Sequence, residues 1–579
     1  MSRKSKTRRN FLHPAWILLI LMTAFCVQKP AEVKMTAPPV DPHAPYNAMG
    51  RQGMVVAAHP LAVEAGLSVL KSGGNAVDAA VAVSFALNAA EPFASGLGGG
   101  GFMLLYLAGE NKVTAVNYRE KAPRLAGPNM FEEKGKDRDE WRSMSGLAVG
   151  VPGMLAGWNL ALKKYGTKTL AELVKPAVEI AEKGMAVSKN YCAINKEEYE
   201  RLLKNAGEGS CYLNNGLPYE PGERLRNPDL ARTLRRIAEK GIEEFYRGEI
   251  AQKIVEAVAA RGGVMALDDL ASYEAVEIAP LKGSYQGHPL YTIPPPGSGA
   301  YLIELLNIIE SWPVKSWGHN SPVYIHHLSE ALGFVFADRD FYLGDPDFVS
   351  IPLDGLLSKP YASRIAGAVR PDRVLDSYPP GIFGKKDGAP GNTTHLCVVD
   401  KDGNIAALTQ SINDFFGSGI VPEGTGFLLN DHMKDFYPLP GSPNSPGPLR
   451  RPASSMAPVI VFKDGKPFLS LGSPGGVRIF PSLAQIIVNI VDFGMSLDEA
   501  IEAPRFFFAP SKDGAAEITV ESRIPESILK RLEGIGHKIA IKDAYDRFFG
   551  GAQGILIDRN RRVIYGGADS RRDGTGKGY

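Results

Sequence analysis

The chain has 579 residues, enough to bury a large core, and a formal net charge of +2, which gives nucleic acid no electrostatic reason to bind. Apolar residues make up 44% and charged residues 22%, a globular balance rather than a disordered or fibrous one. Cys26, Cys192, Cys211 and Cys397 show no metal-ligand spacing, so neither a metal nor a cofactor is expected.

Five cations, Arg3, Lys4, Lys6, Arg8 and Arg9, precede an apolar run over residues 15–25. The run is too short to span a bilayer and fits an export signal over residues 1–26. Residues 7–12 resemble a twin-arginine signal, while Phe25 before Cys26 departs from a lipoprotein cleavage site. Residues 27–46 carry Pro30, Pro38, Pro39, Pro42 and Pro45 without apolar periodicity, as an extended tether does. The expected location is periplasmic or extracellular, with an uncleaved N-terminal segment as a membrane tether in the alternative. In such a compartment Cys192 and Cys211 could pair, and two free thiols fit equally well.

The folded part opens with a strand over 54–58, a helix over 61–72 closed by Gly73 and Gly74, and a helix over 76–89 capped by Asn75. Gly98 to Gly101 precede a strand over 103–107. They form either a tight turn or a place where backbone approaches closely, and the order of a dinucleotide loop is absent. A strand ending at Arg119 sets a guanidinium at a sheet edge, suited to a carboxylate ligand or to a surface salt bridge with Glu120 or another acid. Residues 146–275 read as helical scaffold without chemistry, with helices over 168–184, 194–205, 228–240 and 247–261. Residues 294–299 make a rigid turn into a helix over 301–311. The helix over 322–342 carries His326 and His327, expected to be packing or surface residues without metal-binding partners.

After a loose segment over 379–391, the runs 393–400 and 404–413 flank Lys401, Asp402 and Gly403 and read as a β-hairpin. A two-residue loop would set Thr393 opposite Ile412. A three-residue loop with Gly403 in the left-handed region would set it opposite Ser411, and is favoured because it brings two hydroxyls together. If the chain is cut before Thr393, the freed α-amine, with a pKa of about 8, can take the proton from its own Oγ. Farther on, Asp435 could pair with an ammonium group. Ser454 and Ser455 precede a strand over 459–463, and Gly475 and Gly476 offer adjacent amides suited to an oxyanion hole. Helices over 479–493 and 497–503 follow.

Taken in order, these motifs resemble the gamma-glutamyltranspeptidase family of N-terminal-nucleophile hydrolases over residues 47–579. The resemblance rests on His59-Pro60 with Asn75 to Asp78, the Gly98 to Gly101 run, Tyr118-Arg119-Glu120, Ala337-Asp338-Arg339 with Tyr342 to Pro346, Thr393-Thr394-His395, Arg451 to Met456, and Gly472 to Gly476. It implies an α+β fold, a four-layer αββα sandwich. It also implies a proenzyme that cuts itself between Asn392 and Thr393, leaving a large subunit (47–392) and a small one (393–579) as a heterodimer. By the same resemblance Thr393 is the nucleophile, Ser411 hydrogen-bonds it, and Gly475 and Gly476 hold the oxyanion. Arg119, Ser454 and Ser455 would hold the substrate α-carboxylate, and Asn413 and Asp435 the α-amine. The implied donor is glutathione or a related γ-glutamyl amide, and the acceptor is water or the amine of an amino acid or peptide.

Three positions depart from the family pattern. Ser411 stands for threonine, His432 stands where glutamine or glutamate lies near the substrate amine, and the loop 437–450 is shorter than many bacterial lids. An open site would admit longer substrates. The alternatives are therefore a poly-γ-glutamate depolymerase or transferase, a relative resembling cephalosporin acylase, and a non-catalytic exported binding protein on the same fold.

Overall fold

The computed structural model describes residues 47–380, 392–510 and 516–579. The expected export signal and tether, and the loose segment from residue 381 to 391, lie outside the described residues.

Two seven-stranded antiparallel sheets form the centre of the protein. In one the strands run in the order Thr575–Gly578, Met54–Ala57, Asn392–Val399, Ile405–Asn413, Gly100–Leu107, Lys112–Tyr118, Val276–Ile278. In the other the order is Asn47–Gly50, Val563–Ala568, Gln553–Asp558, Lys466–Gly472, Val459–Lys463, His288–Thr292, Leu281–Tyr285. Side chains alternate across each strand, and the alternation sorts them into layers. Met54, Val56, Cys397 and Val399 pack with Ile460, Phe462 and Ile555 between the sheets. Their neighbours Val55, Ala57, Leu396 and Val398 face helices Pro60–Lys71, Ala76–Ala90 and Met154–Tyr165 on the outside of the first sheet. Helices Gly299–Ile309, Pro322–Tyr342 and Ile479–Val491 cover the second sheet. This is the expected four-layer αββα sandwich.

Helix Ala76–Ala90 is buried along its whole length, which its alanine-rich sequence permits by letting neighbours approach closely. Asn75 caps it in a reciprocal box with Asp78, whose carboxylate also accepts from the backbone N–H of Thr167 at 2.9 Å and of Lys168 at 3.1 Å.

Some elements differ from expectation. The expected helix over 194–205 is two helices, Lys189–Glu197 and Tyr199–Asn205. The first starts early because Ser188 caps Tyr191, and Glu198 breaks the path between them. Helix Met154–Tyr165 and the strands Val276–Ile278, Leu281–Tyr285 and His288–Thr292 were not evident in the sequence. The glycines that disguise that helix serve packing: a Cβ on Gly157 would lie 2.3 Å from the Tyr118 ring. Cys192 and Cys211 are free thiols, the first buried and the second half-buried.

Candidate active site

The hairpin has the three-residue loop. Val399 pairs with Ile405, the Asp400 N–H donates to the Asn404 carbonyl at 3.2 Å, and Gly403 has φ 84°. The ladder runs regularly back to Thr394 opposite Gln410, then slips, so that Asn392 pairs with Asn413 and Thr393 falls at the irregularity. A bulge re-aims side chains at a strand end. Here it turns Thr393 into a cleft of about 730 Å³.

Arg119, Asn413, Asp435, Ser454, Ser455 and Gly476 line the same cleft, so residues spread over 358 positions of sequence meet around one hydroxyl. Ser411 and Gly475 are not among the residues lining the cleft, though each adjoins one that is. The Asn413 N–H donates to Ser411 Oγ at 2.7 Å, and Gly475 precedes the short turn Gly476–Arg478. Gly475 has φ 135° and Gly476 has φ 57°, a path that L side chains adopt only with strain. The Gly98 to Gly101 run is a close approach rather than a free turn. A Cβ on Gly99 would sit 2.1 Å from the Ser411 carbonyl, and one on Gly100 would sit 2.7 Å from the Glu120 carboxylate.

Arg119 is fully buried and already coordinated. Its Nε donates to the Pro452 carbonyl at 3.2 Å, one Nη to Glu120 at 3.4 Å, and the other to Asp435 at 2.5 Å and the Ala453 carbonyl at 3.0 Å. The alternative of a surface salt bridge does not hold, because Arg119 and Glu120 are both fully buried; Arg119 lines the cleft and contacts Glu120 inside the protein. Its ion pair with Asp435 brings together the cation and the anion expected to hold opposite ends of a zwitterion.

The supporting residues were not legible in the sequence. Arg339 reaches the cleft and donates to Ser455 Oγ at 3.0 Å and to Ser298 Oγ at 3.2 Å. Ser298 in turn donates to the Ser454 carbonyl, and the Ser454 N–H donates to the Pro296 carbonyl, so the rigid turn over 294–299 holds the serine pair. Arg142 donates to the carbonyls of Lys434 and Phe436 and holds the turn His432–Asp435. Arg572 donates to the Thr393 carbonyl at 3.3 Å, and Thr394 donates from Oγ1 to Glu91 at 2.6 Å. Burial pushes the Glu91 carboxyl up to about 7 against the pull of Arg572. Arg339 and Thr394 had left a trace inside motifs that carried the resemblance, and Ser298 inside the rigid turn; Arg142, Arg572 and Glu91 had left none.

The expectation for His326 holds for packing, since the residue is buried, but not for its neighbours, which include residues of metal-ligand type. His326 is buried beside Glu330, one turn along the same helix, and beside His537 from a distant segment, with one ligand atom of each within 4.8 Å of the others. The trio could bind a metal by residue type. Its contacts are those of a hydrogen-bonded cluster, with the two imidazoles 2.7 Å apart and the Glu330 carboxylate accepting from Leu375 N–H and Tyr378 O–H. Sequence spacing hid the third member because only the fold brings residue 537 to residue 326.

A threonine at the head of a strand inside an αββα sandwich, facing a cleft with a cation, an anion and paired glycine amides, has the architecture of an N-terminal-nucleophile hydrolase. The sequence profile of the gamma-glutamyltranspeptidase family matches residues 62–579, and the chain belongs to that family. It is 40% identical to a glutathione hydrolase proenzyme of Escherichia coli (strain K12), covering 90% of each chain. It is 43% identical to a glutathione hydrolase proenzyme of Pseudomonas sp. (strain A14), covering 80% of this chain and 82% of that one. The fold is also similar to cephalosporin acylase from Bacillus halodurans, with TM-score 0.82 and 28% identity over 94% of this chain and 98% of that one.

Proposed function

We propose that the protein is a self-processing γ-glutamyltransferase and glutathione hydrolase. The observation that carries this reading is the placement of Thr393 at the ladder slip, in one cleft with Arg119, Asp435, Ser454, Ser455 and Gly476. A γ-glutamyl group is a zwitterion joined to an amide, and it needs a cation, an anion and an oxyanion hole around one nucleophile.

Cleavage between Asn392 and Thr393 turns a peptide nitrogen into an α-amine. That amine takes the proton from Thr393 Oγ as the oxygen attacks the γ-amide carbonyl. The amides of Gly475 and Gly476 receive the charge that develops on the carbonyl oxygen. The leaving amine departs with the proton, and the Thr393 ester passes its acyl group to water or to the amine of an amino acid or peptide. Arg119, Ser454 and Ser455 hold the donor carboxylate, and Asn413 and Asp435 its ammonium. The two segments stay together as a heterodimer, and the protein works outside the cytoplasm, as its cationic and apolar N-terminus suggests.

The test is a denaturing gel beside a chromogenic assay. Purified protein runs as two bands and hydrolyses a γ-glutamyl anilide, while Thr393→Ala runs as one band without turnover. A single uncut band that still turns over the anilide sinks the mechanism. Turnover of polymeric γ-glutamate or a glutaryl amide in place of the anilide favours the alternative substrates.

A further inference from the structure

His432 lines the same cleft as Thr393, Asn413 and Asp435. Its Nδ1 lies 2.7 Å from Glu120 Oε1, and both side chains are buried. The other Glu120 oxygen receives Arg119 at 3.4 Å, and the absence of a Cβ on Gly100 makes room for the carboxylate. With Nδ1 committed to Glu120, Nε2 is the nitrogen left for a ligand. Whether Nε2 donates or accepts is decided by whether the Glu120–His432 pair holds two protons or one. A protonated Glu120 donates to Nδ1 and leaves an Nε2–H in the cleft. An ionised Glu120 accepts Nδ1–H and leaves a lone pair at Nε2.

Resting on the proposed γ-glutamyl reading, we infer that Glu120 is a positioning residue that sets the tautomer of His432, and that this tautomer decides whether the cleft favours donors bearing an α-ammonium. A lone pair beside the Asp435 carboxylate makes a corner that accepts a cation, whereas an N–H there opposes one. Among the described residues, the groups facing the pair come from several elements. Arg119 and Tyr118 lie at the end of one strand, Asp435 in the turn with His432, and Asp414, itself paired with Lys434, in an adjoining loop. The hydroxyls of Tyr246 and Tyr273 complete the set. Burial drives the Glu120 carboxyl up to about 8 against the pull of Arg119, and burial, reinforced by Arg119, drives the His432 imidazole well below its ordinary range. The pair therefore holds two protons at neutral pH, one on Glu120 and one on Nε2, and on the alkaline side it loses one: the Nε2 proton goes to solvent as the Glu120 proton passes to Nδ1. Binding of an ammonium and loss of that proton are linked and favour each other.

The test compares two anilides, γ-glutamyl and glutaryl, which differ only in the α-ammonium. Sharing the acyl chemistry cancels the titration of the Thr393 amine from their ratio. For the wild type, the ratio of kcat/KM for γ-glutamyl over glutaryl rises about tenfold or more between pH 6 and pH 8.5, through KM rather than kcat. In Glu120→Gln the amide cannot ionise, and the ratio is lower and flat with pH. Should that variant fail to self-cleave, His432→Gln serves the same purpose, because its amide has no tautomer to switch and its ratio is also flat. A ratio that rises with pH in either variant as steeply as in the wild type overturns the inference while leaving the proposed function intact. A wild type that hydrolyses neither anilide overturns both.

Discussion

Arg119 shows how much one side chain can be asked to do. Its guanidinium ties Glu120, Asp435 and two backbone carbonyls into one rigid floor of the cleft. Lysine keeps the charge but not the fork, so Arg119→Lys leaves buried acceptors unmet. The expected result is a donor KM raised at least tenfold and a stability loss on the order of 3–5 kcal/mol by denaturant titration, the usual cost of breaking a buried pair. At Gly475, φ 135° excludes other residues, and an added Cβ would meet Gly550 Cα at 3.3 Å. Gly475→Ala is expected to lower kcat by about 10²–10³, the scale of one lost oxyanion donor, with KM much less affected, as steady-state kinetics would show. Residues with a chemical signature, such as Thr393, Arg119 and the glycine pair, were legible in the sequence. The roles of Arg142 and Arg572 were not, because an arginine that holds a distant carbonyl looks like any surface arginine until the chain is folded.

The active elements are held by contacts at their ends. The edge strand Val276–Ile278 is tied to helix Met154–Tyr165 through Glu277, which accepts from Thr114 and Tyr165 at 2.6 Å each and from Lys164 at 2.5 Å. Burial alone would raise this carboxyl, but the hydrogen bonds from Lys164, Thr114 and Tyr165, with the Lys164 charge, hold it down to about 2. Because the folded value lies below the unfolded one, its contribution is complete above the ordinary carboxylate range and is lost as pH falls toward 2. The stability gap between wild type and Glu277→Gln should therefore widen from pH 2 to about 4.5 and stay level above it, as urea titrations across that range would show. The reciprocal cap of Asn75 and Asp78 was half legible: Asn75 before an apolar run signals a helix start. The reach of Asp78 to Thr167 and Lys168 could not be read, since no local pattern announces a partner about ninety residues away.

Across the whole molecule, the two segments flanking residue 392 interleave within both sheets. Met54–Ala57 lies between Asn392–Val399 and Thr575–Gly578, and Gly100–Leu107 pairs with Ile405–Asn413. In the other sheet, Asn47–Gly50 pairs with Val563–Ala568, and His288–Thr292 with Val459–Lys463. The cut fragments should co-elute in size-exclusion chromatography and part only in denaturant. Two species under native conditions would contradict this. The sheets meet so closely that a Cβ on Gly472 would lie 2.2 Å from the His395 ring. His395 is kept neutral by burial, which lowers it to about 3, and its Nδ1 lies 2.8 Å from Thr409 Oγ1. It therefore fills space between the layers, although it lies two residues after the candidate nucleophile Thr393. Gly472→Ala should cost about 1–3 kcal/mol by overpacking, read from the denaturant midpoint. The sequence by itself determined the hairpin, its three-residue loop, the sandwich class through its resemblance, and the residues able to act as nucleophile, cation, anion and oxyanion amides. These depend on local backbone geometry and on side-chain chemistry, which neighbouring residues carry. Only the tertiary structure decided that Thr393 lies at a slip in the ladder, that Arg119 is bonded to Asp435, and that Glu120 holds His432. The first is a break in the hairpin's own regular pairing, the other two join segments more than 300 residues apart in the chain, and burial, which sets their charge and geometry, exists only once the layers have closed.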